Sequence, residues 1–527
     1  MLTISVIGSG CSDFLNTDPV MKHVETNFYT NESECFQALA GCYKVLQADN
    51  YGNFYLISEI LSDDCFNGAG TDGNDTWDEF KSNGEQNMFK NPWKKYNWGI
   101  HRCNLLLANI GDATFKNEKL RTQYIAETRF LRAYFYFDYI RLFGNVPLST
   151  SGLEDNYKQA APADVYKLIA EDLKFASDSL PTVTFDNISA TDLGRVTKWS
   201  AESLLGRVFL YYTGYYGTTD LAGVITKAQA TTYINDVIEN SGHDLVPDFR
   251  SLWPMANLTY YTKDPQLAYI GEGKENKETI FAIKYTAEGT SEGFYDVSGS
   301  TGNTWLIYMG TRATGKMPIL HGWGFCPVRP KMYNAFDNDD IRKKASMLAI
   351  KDEGVTYKTA VDQRDETYIW QKKYAPLADK DGVAIDPNWQ YGNGQDYVVI
   401  RFADVLLMGA ELNFGTDNIK AQADYDKVRS RAFGSKFVQK VVSKDNIMNE
   451  RQYELAFEGI RYWDLLRQGL TKTKTELDAS STTVELGGAT KTKTINFPLA
   501  TKGLIQIPKI QIDLSAGTLV QNAGWEQ

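Results

Sequence analysis

Apolar residues recur at helical spacing through the first two hundred positions of the chain and again beyond residue 398. The pattern predicts a helix over 31–46, with Cys35, Leu39, Cys42 and Leu46 on one stripe. Asn91-Pro92 reads as a cap and first turn opening a second helix, with Trp93, Tyr96, Ile100, Cys103 and Leu107 inward. The longest helix is expected over 118–143, carrying Leu120, Tyr124, Leu131, Phe135 and Leu142 and stopped by Gly144. Further helices are expected over 162–180, 197–212 and 228–239, then over 398–412, 419–432 and 445–468. Between 241 and 396 the period fails, Gly, Asn, Asp and Trp accumulate, and only short strand-like runs such as 279–285 remain. Long irregular stretches in a packed protein tend to be functional loops set on a rigid scaffold. A Lys/Thr-rich stretch over 471–494 reads as an exposed loop or hairpin. The expected fold is therefore mainly α, with stacked antiparallel helix pairs and a loop-rich insert containing a few short strands. No clean 34-residue repeat period can be found in the letters.

Charge narrows the partners. Lys plus Arg is 55 against 66 Asp plus Glu, a net charge of -11, and no long basic run offsets it. Such a chain repels phosphate backbones, so nucleic acid is not an expected partner. Aromatics make up 13% of the chain, with 31 Tyr, suited to faces half apolar and half wet. At the start, residues 2–10 form a short apolar run ending in Ser9-Gly10-Cys11. It is far shorter than the ~20 apolar residues of a membrane span. The junction is similar to a bacterial lipoprotein cleavage site, after which Cys11 would carry the acyl chains. Cys35, Cys42, Cys65, Cys103 and Cys326 show no metal spacing and read as small core residues.

Motifs for catalysis fail on context. Residues 68–73 match GxGxxG but neither follow a strand nor open a helix, and are flanked by acids. Residues 289–293 match GxSxG, yet the sequence after the serine is a poor helix. His23, His101, His243 and His321 are scattered, and the turn at 379–382 lacks the ligand positions of a calcium loop. No catalytic residue, cofactor or metal is expected.

A set of segments carries a resemblance. Residues 126–137 (AETRFLRAYFYF), continuing to Arg141-Leu142-Phe143-Gly144-Asn145-Val146-Pro147-Leu148, closely resemble the hallmark of the SusD/RagB family of outer-membrane nutrient-binding lipoproteins of the Bacteroidetes. Cys11-Ser12-Asp13-Phe14-Leu15 is similar to the family's mature start. Gly194-Arg195-Val196-Thr197-Lys198, residues 401–408 (RFADVLLM), residues 450–459 (ERQYELAFEG) and the ending Gln521-Asn522-Ala523-Gly524-Trp525 follow in family order. The resemblance spans nearly the whole chain and is weakest over 241–396. It implies tetratricopeptide-like helix pairs with loops forming the ligand face. It also implies a SusC-like TonB-dependent barrel partner and a lipid-anchored outer-membrane location. The corresponding division is 1–11 for the signal remnant and lipidation Cys, 12–240 for the N-terminal scaffold, 241–396 for the insert and 397–527 for the C-terminal helices. The hallmarks read as structural: Glu454, Glu458 and Arg461 are spaced to share one helix face, with Arg401 or Arg461 pairing the carboxylates.

A sugar ring offers C–H faces that stack on flat aromatics and a rim of hydroxyls bonded by Asn, Asp and Arg. Two loop regions carry that mixture. One holds Asn74, Asp75 and Trp77; the other runs from Tyr295 through Trp305, Tyr308 and Arg312 to Trp323. These eight are the expected ligand-binding residues. The expected function is capture of a glycan at the cell surface, without bond cleavage, for uptake through the barrel. Peptide capture on the same scaffold, as in RagB-like members, is the nearest alternative. A surface glycosidase, needing two opposed carboxylates, and a lid without ligand affinity are the others.

Overall fold

The computed structural model describes residues 28–48, 52–68, 74–81, 87–151, 158–253, 275–286, 301–312, 314–315, 319–351, 357–358, 365–378, 383–384, 389–390, 393–486 and 489–525. Cys11 and Tyr295 lie outside the described residues, as does most of both glycine-rich motifs.

The first helices are α1 (Glu32–Lys44), α2 (Phe54–Ile60), α3 (Asn87–Asn109), α4 (Glu118–Phe143), α5 (Pro162–Ser179), α6 (Lys198–Tyr216) and α7 (Lys227–Asn240). After α6 comes the small hairpin β1 (Asp220–Leu221) and β2 (Ile225–Thr226). The insert holds β3 (Thr279–Ile283), β4 (Thr314–Gly315), α8 (Pro330–Ala335), α9 (Arg342–Ser346), β5 (Met347–Ala349), β6 (Tyr357–Lys358), β7 (Ile369–Gln371) and β8 (Tyr397–Arg401). The chain closes with α10 (Phe402–Asn413), α11 (Asn418–Phe433), α12 (Lys444–Leu455), α13 (Arg461–Leu466), α14 (Leu470–Asp478), the hairpin β9 (Thr482–Leu486) and β10 (Ala489–Lys493), and α15 (Lys509–Leu514).

Local chemistry sets several helix ends. The Asn117 side chain accepts from Lys119 N at the start of α4, and Gly144, at φ 68°, closes it. Thr197 and Thr226 cap α6 and α7 with reciprocal bonds to Ser200 and Gln229. Packing then runs in series: α4 on α3 and α5, α5 on α6, α6 on α7, α7 on α10, and α10 on α11. This is a solenoid of helix pairs. Between α7 and α10 the chain makes one long excursion, and β3 pairs antiparallel with β8 at its neck, Thr279 opposite Arg401.

Four expectations need correction. The helix placed at Asn91 begins earlier, at Asn87, with Pro92 inside it. One missing N–H is tolerated there because Trp93 packs against Tyr139 and Phe143, with ring centroids 4.9 and 5.0 Å away. The helix expected over 398–412 opens as a strand, since Val398, Val399 and Ile400 are β-branched and find β3. The helix expected over 445–468 breaks at 456–460, where Phe457 (φ 62°) and Gly459 (φ 76°) take left-handed backbone. A Cβ on Gly459 would sit 2.8 Å from the Tyr397 hydroxyl, so the turn needs glycine there. Beyond that break Arg461 does not share a face with Glu454; it pairs with Asp63, 2.7 Å from Nε to Oδ1. Finally, residues 470–478 of the Lys/Thr-rich stretch are helical, and the hairpin follows them.

The hallmark helix α4 is almost wholly buried over its second half. Arg141 donates to Asp138 (2.6 Å), and its guanidinium lies over Phe137, Phe54 and Trp463 at 3.9, 4.5 and 4.8 Å. One arginine thus joins α4, α2 and α13. The five described cysteines are buried free thiols.

Candidate functional site

At the neck of the insert sits a buried ionic cluster. Arg401, the last residue of β8, bonds Glu278 (2.7 Å), Glu454 (2.6 Å) and Glu458 (2.8 Å). Arg342 of α9 reaches Glu450 (2.6 Å) and Glu454 (2.8 Å), and Arg431 of α11 also pairs with Glu454. Lys373, from the insert, completes the set on Glu458 at 2.6 Å. Burial works against the Glu454 anion, yet Arg431, Arg401 and Arg342 outweigh it and hold its carboxyl well below the ordinary range. Burial pushes Lys373 down to about 8. The cluster therefore clamps insert to scaffold and has no side chain open to solvent.

Above the neck, residues 304–309 form a short 3-10 helix whose ring Trp305 plugs into the scaffold. Tyr55, Tyr374 and Tyr397 surround it at 4.5, 5.5 and 5.8 Å. The chain then doubles back on itself: Gly322 N donates to Thr311 O (2.6 Å), Trp323 N to Ile307 O (3.0 Å) and Phe325 N to Tyr308 O (2.8 Å). Gly310 and Gly322 cross so closely that a Cβ on Gly322 would lie 2.6 Å from the Gly310 Cα. On this doubled segment Tyr308 is buried, with Trp323 tilted over it at 4.7 Å. Arg312 Nε donates to the Trp323 carbonyl at 3.0 Å, and His321 is exposed beside them.

The first loop region meets the second along a seam. Cys65 bridges Val328, Phe66 N donates to Pro327 O (3.1 Å), and Arg329 Nε donates to Cys65 O (2.7 Å). The structure thus brings the two stretches side by side, but it turns most of their rings inward. Trp77 is 2% exposed and packs near Phe89; Trp305 is 1% and Tyr308 0% exposed. The expectation that these three present open rings is corrected: a buried ring has no free face for a sugar. Asn74 and Asp75 begin the short helix that carries Trp77, but their side chains lie outside the described residues. Trp323 and Arg312 remain, half-buried and adjoining. Of the five insert tryptophans, Trp253 and Trp370 are also buried, whereas Trp389 keeps exposure. Trp389 was absent from the expected set although it sits in the same kind of setting, Asn388-Trp389-Gln390-Tyr391-Gly392-Asn393-Gly394.

A helix-pair solenoid broken by one loop-rich, clamped excursion is the SusD-like fold, mainly α and tetratricopeptide-like. A family model described as the SusD family matches residues 353–525, and one described as starch-binding associating with outer membrane matches residues 13–210. A SusD-like protein of Bacteroides ovatus is 24% identical over 489 residues, 88% of this chain and 81% of the relative. A solved laminarin binding SusD-like protein is 28% identical with a TM-score of 0.74, over 94% of this chain and 100% of that one. Surface glycan-binding protein A from Bacteroides thetaiotaomicron, in complex with laminarihexaose, shares the fold at 23% identity and TM-score 0.74, again over 94% and 100%. The chain belongs to the SusD/RagB family.

Proposed function

We propose that this protein captures an oligosaccharide at the cell surface and passes it to a SusC-like TonB-dependent barrel, without cleaving it. A lipid on Cys11 holds it to the outer membrane in this reading. The observation that carries it is the ledge of the insert. There, Trp323 and Arg312 are both half-buried, and Arg312 Nε donates to the Trp323 carbonyl, on a doubled segment fastened to a rigid scaffold. Pairing an indole with a hydrogen-bonding group suits the faces and rim of a sugar. Relatives named for laminarin and glycan binding support the ligand class. Trp389 joins Trp323 as a candidate platform, and Asn74, Asp75, Tyr295 and Arg312 remain candidates for orienting the ligand.

Binding without hydrolysis is supported by where the unusual carboxyls lie. Burial raises Glu59 to about 8 and Asp64 to about 7, the values of a general acid, but both side chains are fully enclosed. Neither can reach a glycosidic oxygen. A glycan array followed by calorimetry on the full chain carrying Cys11→Ala tests the reading. Saturable binding of an oligosaccharide, recovered intact by chromatography, is expected. Binding of peptides but no glycan, or product formation lost with one carboxylate substitution, would overturn it.

A further inference from the structure

Helix α3 is unlike the chain around it. The protein carries a net charge of -11, yet the 23 residues of α3 include no Asp or Glu. Lys90, Lys94, Trp98 and Arg102 follow one another at four-residue spacing, so they form one stripe about 18 Å long. Lys94 is exposed, and Lys90, Trp98 and Arg102 are half-buried. The Lys94 Nζ lies 4.8 Å from the Trp98 ring centroid, and the Arg102 guanidinium 5.8 Å. Arg102 also donates to the Gly41 carbonyl at 2.8 Å. Among the described residues, none of these three cations lies within ion-pair distance of a carboxylate. Every other strongly charged region described above is internally neutralised, so this stripe stands apart.

We propose that the α3 stripe is a membrane-contacting surface that takes the phosphate groups of an anionic lipid headgroup layer; the idea rests on the surface-lipoprotein reading above. Three observations select that occupant. The stripe is linear and cationic, matching a layer of phosphates and not a single small anion. Lys94 and Arg102 lie over the Trp98 ring itself and so take up the face on which a sugar would stack. A tryptophan flanked by lysine and arginine is the composition that settles at a membrane–water boundary, with the ring at headgroup depth. The acidic remainder of the protein is screened beyond about 10 Å, so local attraction survives the global charge. A tethered body that lays α3 on the headgroups would be held in one orientation, with the rest of the scaffold turned accordingly.

The test uses the full chain carrying Cys11→Ala, so that no acyl chain contributes. Its sedimentation with vesicles of phosphatidylcholine and phosphatidylglycerol in equal parts is compared with that on pure phosphatidylcholine, at low and physiological salt. Binding only to the anionic vesicles, weakened by salt, is expected. Each cation removed should cost about fivefold in affinity. The variant Lys90→Gln/Lys94→Gln leaves the Gly41 bond intact and should lose binding on the order of tenfold or more, with an unchanged melt. No binding to either vesicle, equal binding to both, or an unaffected double variant would overturn the proposal. So would binding to soluble polygalacturonate without binding to vesicles. Because glycan calorimetry is measured separately on the same chain, failure here and failure of the glycan reading are told apart.

Discussion

The neck of the insert and the ledge above it are built from opposite materials. At the neck, Arg401, Arg342, Arg431 and Lys373 meet Glu278, Glu450, Glu454 and Glu458 with almost no solvent access. On the ledge, Trp323 and Arg312 stay half open on crossed glycine backbone. The neck contains two of the segments that carry the family resemblance, residues 401–408 and 450–459, and their charged side chains there are buried. The comparison teaches that recognisable sequence at the neck records how the insert is fastened, while the loops proposed to choose the ligand carry little pattern.

Removing one partner from the neck should have the largest effect. Glu454→Gln leaves Arg401, Arg342 and Arg431 short of a charge, which should cost about 3–5 kcal/mol in urea unfolding. A loss under ~1 kcal/mol would show that the cluster is not the clamp described. Trp305→Ala comes next, at roughly 3–5 kcal/mol, because it empties the box formed by Tyr55, Tyr374 and Tyr397. Its binding, measured on the folded fraction, should change only through that damage.

Acidity should separate two classes of buried carboxyl. Glu454 and Asp404 are held below the ordinary range against the cost of burial, by Arg431, Arg401 and Arg342 and by Arg207 and Arg451 respectively. Their contribution is complete above the unfolded carboxylate range and is lost as pH falls below it, down through their depressed folded values. Glu59 runs the other way: burial raises it from 4.5 to about 8, so the folded state binds its proton more tightly. That contribution is complete below pH 4.5 and is lost as pH rises through about 8. Melting temperature should therefore fall on both sides, and Glu59→Gln should flatten the alkaline slope alone. An unchanged slope in that variant would refute the assignment.

Much of the scaffold was legible because its signals are local. The Asn117 cap and Gly144 stop bound α4, and Thr197 and Thr226 announce α6 and α7. What was not legible depends on distant partners. The Val398-Val399-Ile400 run becomes a strand only because β3 lies beside it, and α12 ends early because Phe457 and Gly459 turn beneath Tyr397 and Tyr55. The ledge was half legible. Gly and Asn around Trp77 and Trp305 report an irregular backbone, not the direction of the side chain. Phe89 and the tyrosine box decide that. Trp389, by contrast, carried the same local signal as the tryptophans that were singled out.

The smallest expected effect on stability is also the most informative. Calorimetric titration of Trp323→Ala with the oligosaccharide found on the array should show a loss of about 1–3 kcal/mol in binding, with the melting temperature close to that of the parent. Unchanged affinity together with a collapsed melt would mean that Trp323 is another wedge holding the insert, and that the glycan is bound elsewhere.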